Sequence, residues 1–219
     1  LEGLFGLSDR VTSTADLMKR DQLTQLKIKI LALKHESCKF ANYQDEMEYI
    51  VTHGKRNTFI KNLVSDLKGN TLVLFNYVEK HGEPLFDLIN KSIGDTKKVF
   101  FVHGGVEASE REEIRRLAEV NDNCVIIASY GTFSTGINIK NLHNIIFASP
   151  SKSRIRNLQS IGRVLRKGDN KAQAVLYDIA DDFSRGSYIN YTLNHLKERI
   201  KVYNEEQFNY EIIPVNIKK

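Results

Sequence analysis

Gln159, Gly162, Arg163 and Arg166 are the residues of this 219-residue chain whose types and spacing point most directly to chemistry. They recur at steps of three and four, so on a helix all four share one face. Leu158, Ile161 and Leu165 share another. The pattern predicts a helix anchored by its aliphatic side that presents an amide, a gap and two guanidinium groups outward. Planar guanidinium groups bond phosphate oxygens in pairs, and a glycine leaves room for a large ligand to approach. A basic helix face is also what solvation alone produces. The surroundings must decide between the two.

The net charge of +5, from 32 Lys and Arg against 27 Asp and Glu, is compatible with a polyanionic partner without requiring one. Its placement says more. Lys152, Arg154, Arg156, Arg163, Arg166 and Lys167 crowd the stretch from Ser151 to Asp169, where Asp169 is the sole acid. Lys152, Arg154 and Arg156 are the electrostatic candidates for duplex or branched nucleic acid, with a solvated charge run as the alternative. Cys38 and Cys124 are far apart and lack metal-ligand spacing, so neither a zinc site nor a disulfide framework is expected. No apolar run approaches the roughly 20 residues that span a bilayer. The chain opens on Leu1 and reads as a piece of a longer protein.

Residues able to do this chemistry need a frame, and the apolar pattern supplies one. Leu26, Ile28 and Ile30 alternate with lysines as a strand with one buried face does. Gln44 to Leu67 turns helical, with Gly69 as its stop. Then short apolar runs at Thr71 to Phe75, Val99 to Val102, Cys124 to Ala128, Ile145 to Ala148 and Ala174 to Ile179 alternate with amphipathic helices. One of those helices opens on Ser109-Glu110-Arg111-Glu112, a capping box. A last helix carries Ile189, Leu193, Leu196, Ile200 and Tyr203, before a strand around Tyr210. The expected fold is α/β: a mainly parallel sheet of five or more strands with helices on both faces, plus a C-terminal helix and strand. Right-handed crossovers then gather the strand-to-helix loops at one edge.

Those loops hold most of the polar chemistry, yet no Gly-x-x-x-x-Gly-Lys-Ser/Thr phosphate cradle exists, since Gly54-Lys55 lacks the preceding glycine and strand. Asp45-Glu46-Met47-Glu48 imitates a magnesium-binding acidic pair but does not end an apolar strand. An arginine pair without cradle or metal ligands describes half of a composite site. At helical spacing, Tyr188, Tyr191 and Tyr203 are read as packing rather than as base-stacking groups.

Gln159-x-x-Gly162-Arg163-x-x-Arg166 resembles motif VI of the superfamily-two helicases. The span from Thr71 to Asp178 resembles their second RecA-like lobe. Thr71 to Phe75 is similar to motif IV, Val102-His103-Gly104-Gly105 with Ser109-x-Arg111 to the His-Gly-Gly element, and Ile127-Ala128-Ser129 with Thr135-Gly136-Ile137-Asn138 to motif V. Ala128 to Ile137 and Ile161 to Lys167 narrow the likeness to phage members of the family that act in DNA repair and recombination.

The resemblance implies ATP and Mg²⁺ as cofactors of the complete enzyme, neither held by this piece alone. Arg166 would be the arginine finger, Arg163 its companion and Gln159 a positioning group, all facing a nucleotide bound by a first lobe. Gly136, Asn138 and Gly162 would touch the nucleotide. Asn76, His103, Gly104, Arg111 and one or both of Ser129 and Thr132 would meet the backbone of a nucleic-acid strand without reading bases. Loop capping is the alternative for Asn76 and His103, and a surface helix position for Arg111. Implied partners are branched or single-stranded DNA, an RNA–DNA hybrid and the first lobe, with no membrane, in the cytoplasm of a phage-infected bacterium. Residues 1–25 would be an entry segment or interlobe linker, 26–180 the lobe, and 181–219 a helix and strand packed on it. A non-catalytic nucleic-acid-binding or strand-annealing module, or an unrelated α/β enzyme with a phosphate site, stays open on fold alone.

Overall fold

The computed structural model describes Met18 and residues 23–136, 139, 141–151, 153, 160–162 and 173–217, with the backbone alone for 134–136. Short runs of apolar residues bounded by turns become strands covered on both faces. Thr71–Phe75 (β2) is buried at every position. Val99–Val102 (β3), Val125–Ser129 (β4), Asn144–Phe147 (β5) and Gln173–Asp182 (β6) follow. Ahead of them runs Gln25–Lys34 (β1), and Tyr210–Asn216 (β7) comes last. The seven described strands form one sheet in the order β3-β4-β2-β5-β6-β1-β7, and every pairing is parallel.

The described helices are Tyr43–Thr52 (α1), Gly54–Asp66 (α2), Glu83–Ile93 (α3), Ala108–Val120 (α4), Tyr130–Gly136 (α5) and Tyr191–Glu205 (α6). A π-helical turn, Val78–Gly82, leads into α3. Ile60, Val64, Leu85 and Ile89 of α2 and α3 pack on one face of the sheet with Val73, Ile127 and Ile179. On the other face, Ile114, Ala118, Tyr130, Phe133, Leu196 and Tyr203 of α4, α5 and α6 meet Leu72, Ile126 and Leu176. Successive residues of a strand point to opposite faces, so each buried strand feeds both cores. Because all strands run the same way, the loops that leave β2, β3, β4, β5 and β6 lie along one edge.

Three local expectations shift. The helical stretch from Gln44 to Leu67 is two helices, broken at His53. That residue is extended, and its imidazole accepts a hydrogen bond from the Arg56 N–H, which starts α2 afresh. The second helix ends at Leu67, and Gly69 serves the turn that follows. Its φ is +80°, and a Cβ there would stand 2.7 Å from His143 Cγ, so both backbone and space demand glycine. The capping box at Ser109 does not form: α4 starts at Ala108 after an extended Glu107, with no side-chain cap. Glu112 is instead drawn forward to Arg115, three residues on.

The start of α6 has a tertiary cause. Ile189 lies before the helix and is 41% exposed. The helix begins at Tyr191 because the buried Glu46 carboxylate, from α1, accepts the Tyr191 and Thr192 N–H groups at 2.8 Å each and the Asn190 amide at 2.7 Å. A carboxylate at a helix N-terminus satisfies orphan donors and favours the helix dipole. Glu46, of the acidic Asp45-Glu46 pair, is thus part of the frame.

Candidate nucleotide and nucleic-acid interface

Asn76 follows β2, and its loop is tied to the one leaving β5. Its N–H donates to Ser149 Oγ at 3.2 Å and its side-chain amide to the Pro150 carbonyl at 3.4 Å. His103 follows β3, where its Nδ1 accepts the Gly105 N–H at 3.2 Å and its ring packs on Phe101 at 5.2 Å. Both residues therefore organise loop backbone. Gly104, next after His103 in the same turn, is exposed, with open space among the described residues where a Cβ would stand. Arg111 lies in the early turns of α4, partly buried, and its Nε has no hydrogen-bond partner among the described residues.

Ser129 ends β4 and caps α5. Its Oγ accepts the Thr132 N–H at 3.3 Å and lies 2.8 Å from the Thr132 hydroxyl. Thr132 is buried, which leaves Ser129 as the hydroxyl at the surface. Gly136 ends α5.

Residues 160–162 are helical. Ser160 and Ile161 are buried, Ile161 in the core with residues of α5 and α6, whereas Gly162 is exposed and a Cβ there would meet nothing among the described residues. Ile161 inward and Gly162 outward are the two positions of the expected pattern that fall among the described residues. Gln159, Arg163, Arg166, Asn138, Lys152, Arg154 and Arg156 lie outside the described residues.

Sequence reasoning missed the buried polar groups under this edge. Arg56 of α2 is fully buried: its Nε donates to Asp181 Oδ1 at 2.8 Å and its Nη2 to the Ala148 carbonyl at 2.7 Å. His35 Nε2 also bonds Asp181 Oδ1, at 2.8 Å. Burial opposes ionisation of Asp181, but the Arg56 charge and the His35 bond outweigh it and hold its pKa at about 2. His81, in the π-helical turn, bonds Ser149 Oγ through Nδ1 at 3.0 Å. Desolvation, with Arg56 nearby, pushes its pKa down to about 3, so the imidazole is neutral.

A second pair lies on the opposite face. Arg199 of α6 donates from Nε to Asp178 Oδ2 at 2.8 Å and from Nη1 to the Ser151 carbonyl at 3.0 Å, and the Tyr203 hydroxyl joins Asp178 at 2.8 Å. Burial works against the Arg199 charge, but Asp178 more than compensates and keeps it firmly protonated. Among the three candidate stacking tyrosines, Tyr203 is thereby core. Tyr188 accepts the Phe40 N–H and Tyr191 donates to the Ala41 carbonyl at 3.4 Å. A signal for the two arginines existed. Asp178 and Asp181 interrupt an apolar strand, and Arg56 and Arg199 fall in step with the apolar stripes at Ile60 and at Leu196 and Tyr203.

Against known proteins, the helicase conserved C-terminal domain matches residues 54–168, more than half of the chain. The chain belongs to the helicase C-terminal domain family. This helicase domain is similar to the ATP-dependent DNA helicase uvsW of Enterobacteria phage T4, with 37% identity over 98% of the chain and 46% of that relative. It is also similar to a putative ATP-dependent RNA helicase, L396, of Acanthamoeba polyphaga mimivirus, at 25% identity over 73% of the chain and 33% of the relative. The crystal structure of T4 UvsW superposes with a TM-score of 0.76 at 36% identity, covering 89% of this helicase domain and 42% of that chain. The DNA-bound restriction-modification enzyme LlaBIII shares the fold, with a TM-score of 0.66 at 19% identity over 98% of the chain and 17% of the enzyme. The chain thus spans less than half the length of the curated relatives it matches. The RecA-like, all-parallel sheet is the fold that the superfamily-two resemblance implies.

Proposed function

We propose that this chain is the second motor lobe of an ATP-dependent helicase that unwinds and branch-migrates branched DNA or R-loops in repair and recombination. The observation that carries the reading is a junction. The Asn76 loop and the start of α5 at Ser129-Tyr130 are both bonded to the segment that leaves β5 toward Gly162, in a chain 37% identical to uvsW. A motor lobe needs such a junction, because its nucleic-acid contacts must report to its nucleotide contacts.

Asn76, His103, Gly104, Arg111 and Ser129, with Lys152, Arg154 and Arg156, meet a DNA or RNA–DNA backbone through loop amides, short polar groups and guanidinium or ammonium charges. Thr132 supports Ser129 from beneath. Arg166 is the arginine finger and Arg163 its companion; Gln159, Gly136, Asn138 and Gly162 complete this chain's side of the nucleotide cleft. The open space at Gly162 fits the close approach of a nucleotide. ATP with Mg²⁺ supplies the phosphoryl group whose developing charge such arginines stabilise, an effect worth about 10³ to 10⁵ in rate. The Mg²⁺ ligands are assigned to a first lobe, as the superfamily-two resemblance implies. Residues 1–25 are assigned to the interlobe linker, 26–180 to the lobe and 181–219 to its C-terminal helix and strand. The parallel pairing of β7 with β1 supports counting that last segment with the lobe. The setting is the cytoplasm of a phage-infected cell; among the described residues no helix is long and apolar enough to cross a membrane.

In the complete protein, Arg166→Ala should abolish ATP turnover while DNA affinity, measured at one stated salt concentration, stays within about twofold. Equal loss of both would assign Arg166 a structural role. A complete protein that binds and anneals strands without hydrolysing ATP would replace the motor with a binding module. Magnesium-dependent ATPase activity of residues 1–219 alone would refute the two-lobe site.

A further inference from the structure

Four consecutive carbonyls leave β5, and each accepts a side-chain hydrogen bond from a different part of the fold. Arg56 of α2 donates to Ala148 at 2.7 Å, Tyr130 of α5 to Ser149 at 3.2 Å, Asn76 of the β2 loop to Pro150 at 3.4 Å, and Arg199 of α6 to Ser151 at 3.0 Å. The Ser149 hydroxyl adds bonds to the Asn76 N–H and to His81. Strand-leaving loops ordinarily run over the surface with their carbonyls in water. Here Ala148, Ser149, Pro150 and Ser151 are all buried.

The two arginines grip the ends of the segment from opposite sides of the sheet. Asp178 and Asp181 stand three residues apart on β6 and so face opposite ways, one beneath α6 and one beneath α2. Each fixes one buried guanidinium, whose free edge reaches the neighbouring segment, since Phe147 of β5 pairs in register with Asp178. Buried ion pairs add little stability over well-packed apolar residues of the same volume. What these two add is position: a planar guanidinium pinned at one edge can offer its other edge in one place only.

We infer that Ala148–Ser151 is a clamped pivot, and that Arg56, Tyr130 and Arg199 are positioning residues that make the nucleic-acid loops set the pose of the helical turn at 160–162. Asn76 and Tyr130 bring the state of the β2 loop and of α5 to this segment. Arg56 and Arg199 make the segment move as a unit or not at all. The 160–162 turn, anchored by the buried Ile161, follows next among the described elements. The inference rests on the motor reading above and names the parts through which DNA binding changes ATP turnover.

The test uses the complete protein, a single-stranded DNA oligonucleotide, and two variants. Tyr130→Phe removes the hydroxyl and keeps the ring, which packs on Phe147 at 5.8 Å. Arg199→Lys keeps a cation for Asp178 but loses the second, rigidly placed donor. Each should lower the ratio of DNA-stimulated to DNA-free ATP turnover by about three- to tenfold, the scale of one positioning hydrogen bond. The KM for ATP and the Kd for the oligonucleotide should stay within about twofold. A merely structural role lowers the active fraction, which scales both turnover rates alike and leaves their ratio intact; a retained ratio in Tyr130→Phe overturns the inference even if Arg199→Lys fails to fold. A wild-type protein without stimulation by DNA refutes the motor reading and this inference with it, whereas stimulation in wild type and an unchanged ratio in the variants refutes the pivot alone.

Discussion

His81 makes the stability of this domain depend on pH in a way that can be worked out in advance. The imidazole has no solvent exposure, bonds Ser149, and faces the Arg56 charge. Burial and that charge lower its pKa from 6.5 to about 3. The folded protein therefore holds His81 neutral at acidities where the unfolded chain takes up a proton. Stability from this group is complete above the unfolded value and falls as pH drops from 6.5 toward 3. At about pH 5 the deficit is about 1.5 pKa units, or roughly 2 kcal/mol at about 1.36 kcal/mol per unit. The assay is urea unfolding of wild type and His81→Asn at about pH 7.5 and about pH 5. Asparagine can still reach Ser149 but does not titrate. Other groups, including His53, whose pKa is lowered by burial and by His35, act equally in both proteins and cancel. Between the two pH values the stability of wild type relative to the variant should fall by about 2 kcal/mol. A difference that does not change with pH would refute the reasoning.

Arg56→Met strands Asp181 in the core with His35 as its remaining partner and should cost about 3–5 kcal/mol, read as a shift in denaturant midpoint. A loss below about 1 kcal/mol would mean the pair is not buried as described. Glu46→Gln keeps the volume but weakens four bonds at the start of α6, and should cost about 1–3 kcal/mol. Its local signature is faster hydrogen exchange at the Tyr191 and Thr192 amides, with α3 unaffected. Gly162→Val meets open space, so thermal stability should change by less than about 1 kcal/mol, while ATP turnover in the complete protein falls sharply. Unchanged turnover would remove Gly162 from the nucleotide cleft.

Strands were legible where a short apolar run could be buried on both faces. Thr71 to Phe75 and Val99 to Val102 occupy the range their composition predicts, and β4 and β5 differ by one residue at their ends. What shifted was set by partners far along the chain. The start of α6 depends on Glu46 from α1, which no window around Ile189 contains. The break at His53 depends on an imidazole turning back to cap Arg56, while the apolar stripe continues across the join. Periodicity reports which face is buried, and is nearly blind to where the hydrogen bonding begins and ends.

The site divides the same way, along a line drawn by burial. Asn76, His103 and Ser129 were visible as polar side chains in strand-to-helix loops, a place where exposed polarity invites a functional reading. Arg56 and Arg199 were not, because composition counts a guanidinium without saying where it lies, and these two are among the largest fully buried side chains described. The clue lay in their acids. Asp178 and Asp181 are fully buried in β6, so each needs a buried cation on its own face of the sheet. An odd spacing sends them to opposite faces, and the partners must then come from two different helices, as α2 and α6 do. Asp178 and Asp181 were thus the overlooked signal for a buried cation on each face of the sheet.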